Sequence, residues 1–224
     1  MSDRASWRNV FKTSLPVMAG YMVLGMGFGI LLHSRGYGPL WAAAMSLFIY
    51  AGSMQFVGVD LLSSGAGLLT AAVTTLFVNA RHLFYGVSML ERYHGAGAKK
   101  PYLIFTLTDE TYSLVCGEAG EDLTYCIRLS LLDHCYWVTG SVLGSLLTQV
   151  LPFDTTGIDF SLTALFVTVF LDQWMKYSDH RPALVGLGVS GISLLLFGPE
   201  NFLLPAMAGI LALLLLPDRK EVKA

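Results

Sequence analysis

The stretch Asn79-Ala80-Arg81-His82-Leu83-Phe84-Tyr85-Gly86 places a cation and several hydrogen-bonding side chains at the end of an uncharged run, Leu61 to Ala80. That run is about as long as a helix that crosses the hydrocarbon core of a bilayer, which takes roughly 20 residues. Polar side chains inside a membrane usually mark a functional site. The alternative is that Arg81 and Tyr85 anchor a helix at the lipid headgroups. The stretch therefore predicts either an intramembrane site or the edge of a span.

The composition decides the class of protein. Of the 224 residues, 54% are hydrophobic and only 13% are charged, and the mean hydropathy is +0.59. Soluble domains carry about 25% charged residues. We therefore predict an all-α integral membrane protein that forms a single polytopic domain over residues 1–224 and is embedded in a lipid bilayer. The net charge of −2, without a run of Lys and Arg, argues against a nucleic-acid partner.

Eight segments are candidates for transmembrane helices. Six are uncharged windows, of which the last three are short for a span: Leu15 to Leu32, Pro39 to Val59, Leu61 to Ala80, Cys135 to Phe153, Pro182 to Pro199 and Asn201 to Pro217. Two weaker candidates contain acidic residues: Tyr102 to Gly117, with Asp109 and Glu110, and Phe160 to Lys176, with Asp172 and Gln173.

The distribution of basic residues favours eight spans with the N-terminus in the cytoplasm. Nine Lys and Arg residues then lie on the cytoplasmic side, and four, Arg35, Arg92, Lys99 and Lys100, lie on the other. A seven-span arrangement that omits Tyr102 to Gly117 leaves the basic C-terminus outside. The loop with Arg92, Lys99 and Lys100 fits the eight-span arrangement poorly, because such a cluster prefers the cytoplasm.

The order of the motifs suggests an internal repeat, with halves at about 14–90 and 128–216. Two pairs of segments share their spacing: Gly25-x-x-x-Gly29 with Gly140-x-x-x-Gly144, and Phe48 to Gln55 with Phe166 to Gln173. Glycine pairs also occur simply because small residues let helices approach closely. Secondary transporters are commonly built from repeats, with a binding site at interrupted helices between them.

An interrupted helix is predicted where Gly52, Ser53 and Gln55 occur within an apolar segment. Glycine frees the backbone, serine can cap a half-helix, and glutamine both donates and accepts hydrogen bonds. The alternative is a polar contact that holds neighbouring helices together. Gln173 is included as the repeat counterpart of Gln55.

Helical geometry separates the polar residues of the opening stretch into two faces. Asn79 and His82 share one face with Gly86, whereas Arg81 and Tyr85 lie on another. His82 is the candidate for proton coupling, because histidine titrates near neutral pH. A histidine with structural hydrogen bonds remains the alternative.

The segment Thr108-Asp109-Glu110-Thr111-Tyr112 places two adjacent carboxylates halfway along a possible span. An acidic residue at a helix centre costs roughly 2.5–3.5 kcal/mol, which usually implies a partner or a water-filled cavity. Arg81 is the candidate partner. If the segment does not cross, both carboxylates are ordinary loop charges. Asp133 and His134 are expected at the opening of the fifth span.

Three motifs in this order resemble those of the AzlC family, the large subunits of bacterial branched-chain amino-acid exporters: Tyr50-Ala-Gly-Ser-Met-Gln55, Asn79-Ala-Arg-His-Leu-Phe-Tyr85 and Thr108-Asp-Glu-Thr-Tyr112. The likeness covers nearly the whole chain, from Trp7 to about Pro217. It implies a multi-pass exporter of valine, leucine, isoleucine or analogues in the bacterial inner membrane, working with a small membrane subunit of the AzlD type and without a cofactor.

A zwitterionic substrate needs a site for each of its charges and an apolar pocket for its branch. Arg81 or the break at Gly52 and Ser53 can bind the carboxylate, and Asp109 can bind the ammonium group. The alternative for Arg81 and Asp109 is a buried ion pair. The expected substrate path comprises Gly52, Ser53, Gln55, Asn79, Arg81, His82, Tyr85, Asp109, Glu110, Tyr112 and Gln173.

An enzymatic function is not expected. Gly188-Val189-Ser190-Gly191 matches the GxSG pattern of rhomboid proteases, but no histidine follows Ser190 to activate it. There is also no spacing typical of a metal site such as HExxH. A channel or a non-transporting membrane partner stays open as an alternative.

Overall fold

The computed structural model describes residues 5–116, 122–150, 159–176 and 178–215, and all regular structure in them is helical. The chain divides into two compact units, Met1–Leu162 and Thr163–Ala224. A short 3-10 helix lies at His94–Lys99. The α-helices, in chain order, are α1 (Trp7–Ser34), α2 (Pro39–Phe48), α3 (Gly52–Ser63), α4 (Leu68–Val78), α5 (Ala80–Ser88), α6 (Lys100–Phe105), α7 (Asp109–Val115), α8 (Leu123–Val150), α9 (Asp159–Lys176), α10 (Arg181–Asn201) and α11 (Leu203–Leu215).

The first unit is built on α1 and α8, which lie side by side and run in the same direction. Contacts between them advance together along both helices. The Arg128 guanidinium lies 5.0 Å from the centre of the Trp7 ring, Ser14 is hydrogen-bonded to Tyr136 at 3.1 Å, and His33 is hydrogen-bonded to Ser145 at 3.2 Å. Since the residue numbers increase together, the two helices are parallel.

Glycines bring the backbones of α1 and α8 into direct contact. A methyl group on Gly140 would lie 2.9 Å from the carbonyl oxygen of Tyr21, and one on Gly25 would lie 3.1 Å from that of Trp137. Methyl groups on Gly29 and Gly144 would approach the partner backbone even more closely. Close packing of small residues therefore accounts for the two glycine motifs, which lie face to face.

The interruption predicted at Gly52 and Ser53 is present. Helix α2 ends at Phe48, and α3 begins at Gly52. Between them Tyr50 has a φ of +31°, a conformation that a non-glycine residue rarely adopts. Ala51 is extended and precedes α3 as its N-cap.

The chain reverses direction at this break, so the segment Pro39 to Val59, predicted as a span with an interrupted helix, folds back on itself. The Gln55 amide donates to the Ser46 hydroxyl at 3.3 Å, and a methyl group on Gly58 would lie 3.4 Å from the Met45 Cε atom. On a continuous helix these pairs would be about 14 Å and 20 Å apart. Helices α2 and α3 therefore form a hairpin whose tip is the break.

The uncharged run Leu61 to Ala80 is also divided. Helix α3 ends at Ser63, and a turn with Gly65 at φ +64° precedes α4. Helices α4 and α5 meet at Asn79, whose backbone is not helical. The opening polar stretch therefore begins at this junction and continues along α5.

A second hairpin is formed by α6 and α7, with its tip at residues 106–108. The Lys100 ammonium, at the start of α6, donates to the Leu90 carbonyl at 3.0 Å, and Arg92 donates to the Val115 carbonyl at 2.6 Å at the end of α7. Both ends of the hairpin thus bind the segment that follows α5. The part of the weak predicted span Tyr102 to Gly117 that the structure describes, up to Cys116, doubles back.

The two hairpins insert from opposite ends of the α1–α8 pair. The first packs on the C-terminal half of α1, in a core that includes Phe28, Leu31, Leu32, Met45 and Val59. The second packs on the N-terminal ends of α1 and α8, in a core that includes Val10, Leu103, Val115, Cys126 and Leu129. The tips meet between these cores, where the Tyr50 and Phe105 ring centres are 6.1 Å apart.

In the second unit, α10 and α11 double back on each other at Gly198, whose φ is +72°. A methyl group on Gly209 would lie 2.9 Å from the Val189 Cγ1 atom. The contact indicates a tight turn between the two apolar windows Pro182 to Pro199 and Asn201 to Pro217.

The second pair of segments in the predicted repeat differs in local structure. Phe166 to Gln173 lies within the continuous helix α9, whereas Phe48 to Gln55 spans the first tip. The side chain of Gln173 lies outside the described residues. Among the described residues, two helices are long and apolar enough on their own to cross a membrane, Trp7–Ser34 and Arg181–Gly198. Pro39–Phe48, Leu68–Val78 and Pro205–Leu214 are shorter apolar helices.

Gly140→Leu is expected to lower the thermal unfolding midpoint by several degrees, because the new side chain has to displace the backbone of α1. Overpacking of this kind costs about 1–3 kcal/mol. Gly20→Leu is the matched control, since the described residues leave nothing within 4 Å of a methyl group at Gly20. The measurement is thermal unfolding of the purified protein in detergent. Equal midpoints for the two variants would contradict the backbone contact.

Candidate functional site

Arg81 bonds to both hairpin tips. Its Nη1 atom donates to the Oδ2 atom of Asp109, the first residue of α7, and its Nη2 atom donates to the Ser53 hydroxyl at 2.8 Å. The Arg81 and Asp109 side chains are 34% and 33% exposed. The ion pair considered from the sequence is therefore present, and it is half-buried rather than sealed.

Tyr85 completes the coordination of the Asp109 carboxylate. Its hydroxyl donates to the Oδ1 atom at 2.8 Å, and its ring stacks on Tyr112 with ring centres 4.4 Å apart. The Ser88 hydroxyl is within 3.2 Å of the Tyr112 hydroxyl. Arg81 and Tyr85 share one helix face, as the sequence predicted, and this face is directed at Asp109.

The two adjacent carboxylates have different partners. Asp109 binds Arg81 and Tyr85, whereas Glu110 accepts a hydrogen bond from the Tyr21 hydroxyl at 2.8 Å. The Thr108 hydroxyl caps α7 by accepting from the Thr111 backbone N–H at 3.2 Å. The neighbouring carboxylates therefore reach different elements, α5 and α1.

Gln55 is bonded at both ends of its amide. The Trp137 indole N–H donates to its oxygen at 2.5 Å, and its nitrogen donates to Ser46. The side chain is fully buried. This arrangement favours the alternative interpretation of Gln55 as a polar contact between helices. Gly52 is required at the same place, because a methyl group there would lie 2.9 Å from the Trp137 ring.

A cavity of about 360 Å³ lies beside the first tip, between the tip, the α4–α5 junction and the end of α6. It is lined by Ile49, Tyr50, Ala51, Thr75, Leu76, Asn79, His82, Leu83, Ile104 and Phe105. The walls are mainly branched and aromatic side chains. The buried Asn79 Oδ1 and His82 Nδ1 atoms have no hydrogen-bond partner in the described part of the chain.

The cavity therefore has a mainly apolar wall, and two polar residues are among those that line it. Asn79 and His82, predicted to share a face, both line it. Ala51, the N-cap of α3, also lines it, and no side chain caps that helix end. The start of a helix attracts negative charge through its backbone N–H groups. This arrangement suits a small ligand that carries charge at one end and hydrocarbon at the other.

Asp133 and His134 lie well inside α8, contrary to the expectation that they open a span. Asp133 is fully buried and accepts from the Thr111 hydroxyl at 2.9 Å. His134 is 9% exposed, and its ring nitrogens are bonded to the Ser46 carbonyl at 3.1 Å and the Tyr102 hydroxyl at 3.2 Å. The uncharged window used to predict this span starts well after the beginning of α8, because charged residues lie near the start of the helix. Their side chains have partners inside the fold.

Comparison with known proteins identifies the family. Residues 16–151 match the model of the family described as AzlC protein. This range holds α1 to α8 almost completely and includes both hairpin tips and the cavity. The chain belongs to the AzlC family. The family inferred from the three sequence motifs is thereby confirmed.

The AzlC relatives cover most of the chain. The branched-chain amino acid transport protein AzlC of Bacillus subtilis (strain 168) is 44% identical over 214 residues, which are 94% of this chain and 84% of that protein. An uncharacterized membrane protein of Helicobacter pylori (strain ATCC 700392 / 26695) is 38% identical over 222 residues, 97% of each chain. The inner membrane protein YgaZ of Escherichia coli (strain K12) is 30% identical over 196 residues, 82% of this chain and 80% of that protein. No solved structure matches. This AzlC chain is a membrane protein.

Gln55→Met is expected to destabilise the protein by about 1–3 kcal/mol, because it leaves the buried Trp137 N–H without an acceptor. Gln149→Met is the matched control, since Gln149 is exposed on the same helix as Trp137. Thermal unfolding in detergent measures both variants. An unchanged midpoint for Gln55→Met would contradict the structural role assigned to Gln55.

Proposed function

We propose that this protein exports branched-chain amino acids across the bacterial inner membrane, coupled to protons and assisted by a small membrane subunit of the AzlD type. The observation that carries the proposal is the cavity beside the first tip. Its size and its mainly branched and aromatic walls, with the polar residues Asn79 and His82 among them, suit a small zwitterion with a hydrocarbon branch. The Bacillus subtilis relative is named as a branched-chain amino acid transport protein, which supports the same substrate class.

The bound amino acid is oriented by the polar atoms at one side of the cavity. When the substrate binds, the Asn79 amide turns towards the cavity so that its Oδ1 atom, buried in this structure, accepts from the ammonium group, and the uncapped start of α3 attracts the carboxylate. Leu76, Leu83 and Ile104 contact the branched side chain. Burial of a branch of this size contributes about 1.5–3 kcal/mol.

The Arg81–Asp109 pair acts as the barrier next to this cavity. It holds the two tips together, and it carries the same two charges as a zwitterionic amino acid. A substrate that approaches the pair offers each partner a replacement, its carboxylate to Arg81 and its ammonium group to Asp109. In this proposal the exchange of partners separates the tips as the substrate passes.

The membrane topology that fits these hairpins has six crossings and two re-entrant hairpins, in place of eight crossings. The crossings are α1, the α4–α5 element, α8, α9, α10 and α11. In this arrangement the basic residues of the first unit are distributed unequally across the membrane. One side of the membrane has Arg8, Lys12, Arg92, Lys99, Lys100 and Arg128, and the other side has Arg35. The first side is the cytoplasm by the positive-inside rule. The loop that fitted poorly with eight crossings now fits well.

Single cysteines test this topology in a protein whose native cysteines have been replaced. Ser34→Cys, at the last residue of α1, and Ala98→Cys, in the short 3-10 helix before α6, change exposed residues. Six crossings put them on opposite sides, whereas eight crossings put them on the same side. We therefore expect an impermeant maleimide added to intact cells to label Ser34→Cys and to spare Ala98→Cys. Equal labelling of both positions would rule out the re-entrant arrangement.

Asp109→Asn and Arg81→Gln are each expected to reduce transport at least tenfold, because either change removes one charge of the barrier and of the substrate path. The measurement is counterflow of labelled leucine into proteoliposomes, with and without an AzlD-type subunit. Asp60→Asn, at an exposed carboxylate of α3, is the matched control. Gel filtration in detergent checks that each variant is folded.

The same assay separates the proposed carrier from the alternatives. A carrier accumulates labelled leucine transiently when unlabelled leucine is inside, whereas a channel only equilibrates it. A non-transporting membrane partner gives no signal in either condition. Normal counterflow in both the Asp109→Asn and Arg81→Gln variants would overturn the role given to the ion pair.

A further inference from the structure

Two carboxylates near the tips lack a cation, in contrast to Asp109. Within the described residues, Glu110 and Asp133 form no ion pair, and Arg81 is committed to Asp109 and Ser53. Glu110 is partly exposed and Asp133 is fully buried. A buried carboxylate without a counter-ion is costly unless it takes up a proton. The pair therefore consists of one accessible and one enclosed proton acceptor.

A continuous chain of hydroxyl groups connects these two carboxylates. Its four hydrogen bonds join Glu110 to Tyr21 at 2.8 Å, Tyr21 to Thr108 at 2.5 Å, Thr108 to Thr111 at 3.2 Å, and Thr111 to Asp133 at 2.9 Å. Every intermediate group is a hydroxyl, which can both donate and accept a hydrogen bond, as a proton relay requires. The three hydroxyl oxygens are in contact without any gap that a water would have to fill.

We propose that this hydroxyl chain conducts the coupling proton between Glu110 and Asp133. The inference rests on the proposed function, since it names the route of the proton in that transport. It places the proton on carboxylates rather than on His82, the candidate from the sequence. The proton is the ligand of this second site, and Asp133 is the buried end of the hydroxyl chain.

The transfer balances as a series of short steps. Glu110 gives its proton to the Tyr21 oxygen while Tyr21 gives its own to Thr108, Thr108 gives its own to Thr111, and Thr111 gives its own to Asp133. Each hydroxyl ends with one proton, and the net result is one proton moved from one carboxylate to the other. The chain then has the opposite polarity, so the reverse transfer follows the same route.

The environment of Asp133 supplies no competing cation among the described residues. The titratable groups close enough to interact with it are Glu110 from α7, Tyr21 from α1, Tyr50 from the first tip, and Tyr125 and Tyr136 from α8. His134, next in the sequence, uses both ring nitrogens for other partners. The Asp133 Oδ1 and Ser130 hydroxyl oxygen are buried and without partners in the described residues. A proton on Asp133 Oδ1 therefore has no competing cation among the described residues.

The chain spans elements that the proposed mechanism moves relative to each other. Tyr21 lies on α1 and Asp133 on α8, whereas Thr108 and Thr111 belong to the second hairpin. The same hairpin tip carries Asp109 against Arg81. A displacement of that tip breaks the hydroxyl chain and the ion pair together. Proton transfer and opening of the barrier are thereby linked through one element.

Thr111→Val and Thr111→Ser form the test pair, because valine keeps the volume without the hydroxyl and serine keeps the hydroxyl. Proteoliposomes containing the full chain and its small subunit are assayed in two ways: leucine accumulation driven by a pH gradient, and leucine counterflow at equal pH. We expect Thr111→Val to lose at least tenfold in the driven assay and to stay within about twofold in counterflow. Thr111→Ser keeps both activities.

Tyr21→Phe is a second variant with the same expected result, and it keeps the ring that packs edge-on against Trp137 at 5.4 Å. Tyr136→Phe is its matched control, since the Tyr136 hydroxyl binds Ser14 outside the chain. A pH-sensitive dye inside the liposomes reports proton movement directly. Thermal unfolding in detergent identifies any variant that has lost its fold.

The outcomes separate the two proposals. Undiminished gradient-driven accumulation in folded Thr111→Val and Tyr21→Phe overturns the hydroxyl route. So does loss of driven accumulation in His82→Gln while both of those variants remain active, and so does a wild-type protein driven by a sodium gradient and not by pH. If the wild-type protein shows no leucine counterflow, the proposed function itself fails.

Discussion

The arrangement of the first unit depends on one cation at its centre. Arg81 reaches Ser53 on one hairpin and Asp109 on the other, and the hairpins insert from opposite ends. Each hairpin on its own ends in a broken helix, whose free backbone groups are costly away from water. The guanidinium group stabilises both tips at once, because it bonds to the first turn of α3 and of α7. Few other side chains have the reach and the fixed fork of donors for such a bridge.

The α1–α8 pair and the hairpin tips differ in how they are held. Backbone contacts at Gly25, Gly29, Gly140 and Gly144 leave no space between the two long helices, so that pair is a rigid wall. The tips meet through a half-exposed ion pair and through ring contacts instead. Interactions of this kind can exchange partners with little repacking. The fold thus places its replaceable contacts at the centre and its fixed contacts along one side.

The sequence predicted the polar residues of the site better than it predicted the path of the chain. Arg81, Tyr85 and Asp109 were recognisable because charge is rare in apolar segments. The hairpins were not, because a hydropathy window measures length and has no direction: α2 plus α3 is as long as one span. The basic cluster at Arg92 was the signal in the sequence that fitted the eight-span arrangement poorly. Tyr21 was missed as a proton-relay candidate because one tyrosine in an apolar run looks like an ordinary packing residue.

The unusual backbone conformation of Tyr50 strains the first tip. A left-handed conformation costs a non-glycine residue about 1–2 kcal/mol, and here it persists because the ring is clamped. The His134 ring centre lies 4.3 Å away on α8, and Phe105 contributes a second contact from the opposite hairpin. A displacement of Phe105 would remove one of the two ring contacts that hold Tyr50. The strained residue of the first tip is therefore in direct contact with the second tip.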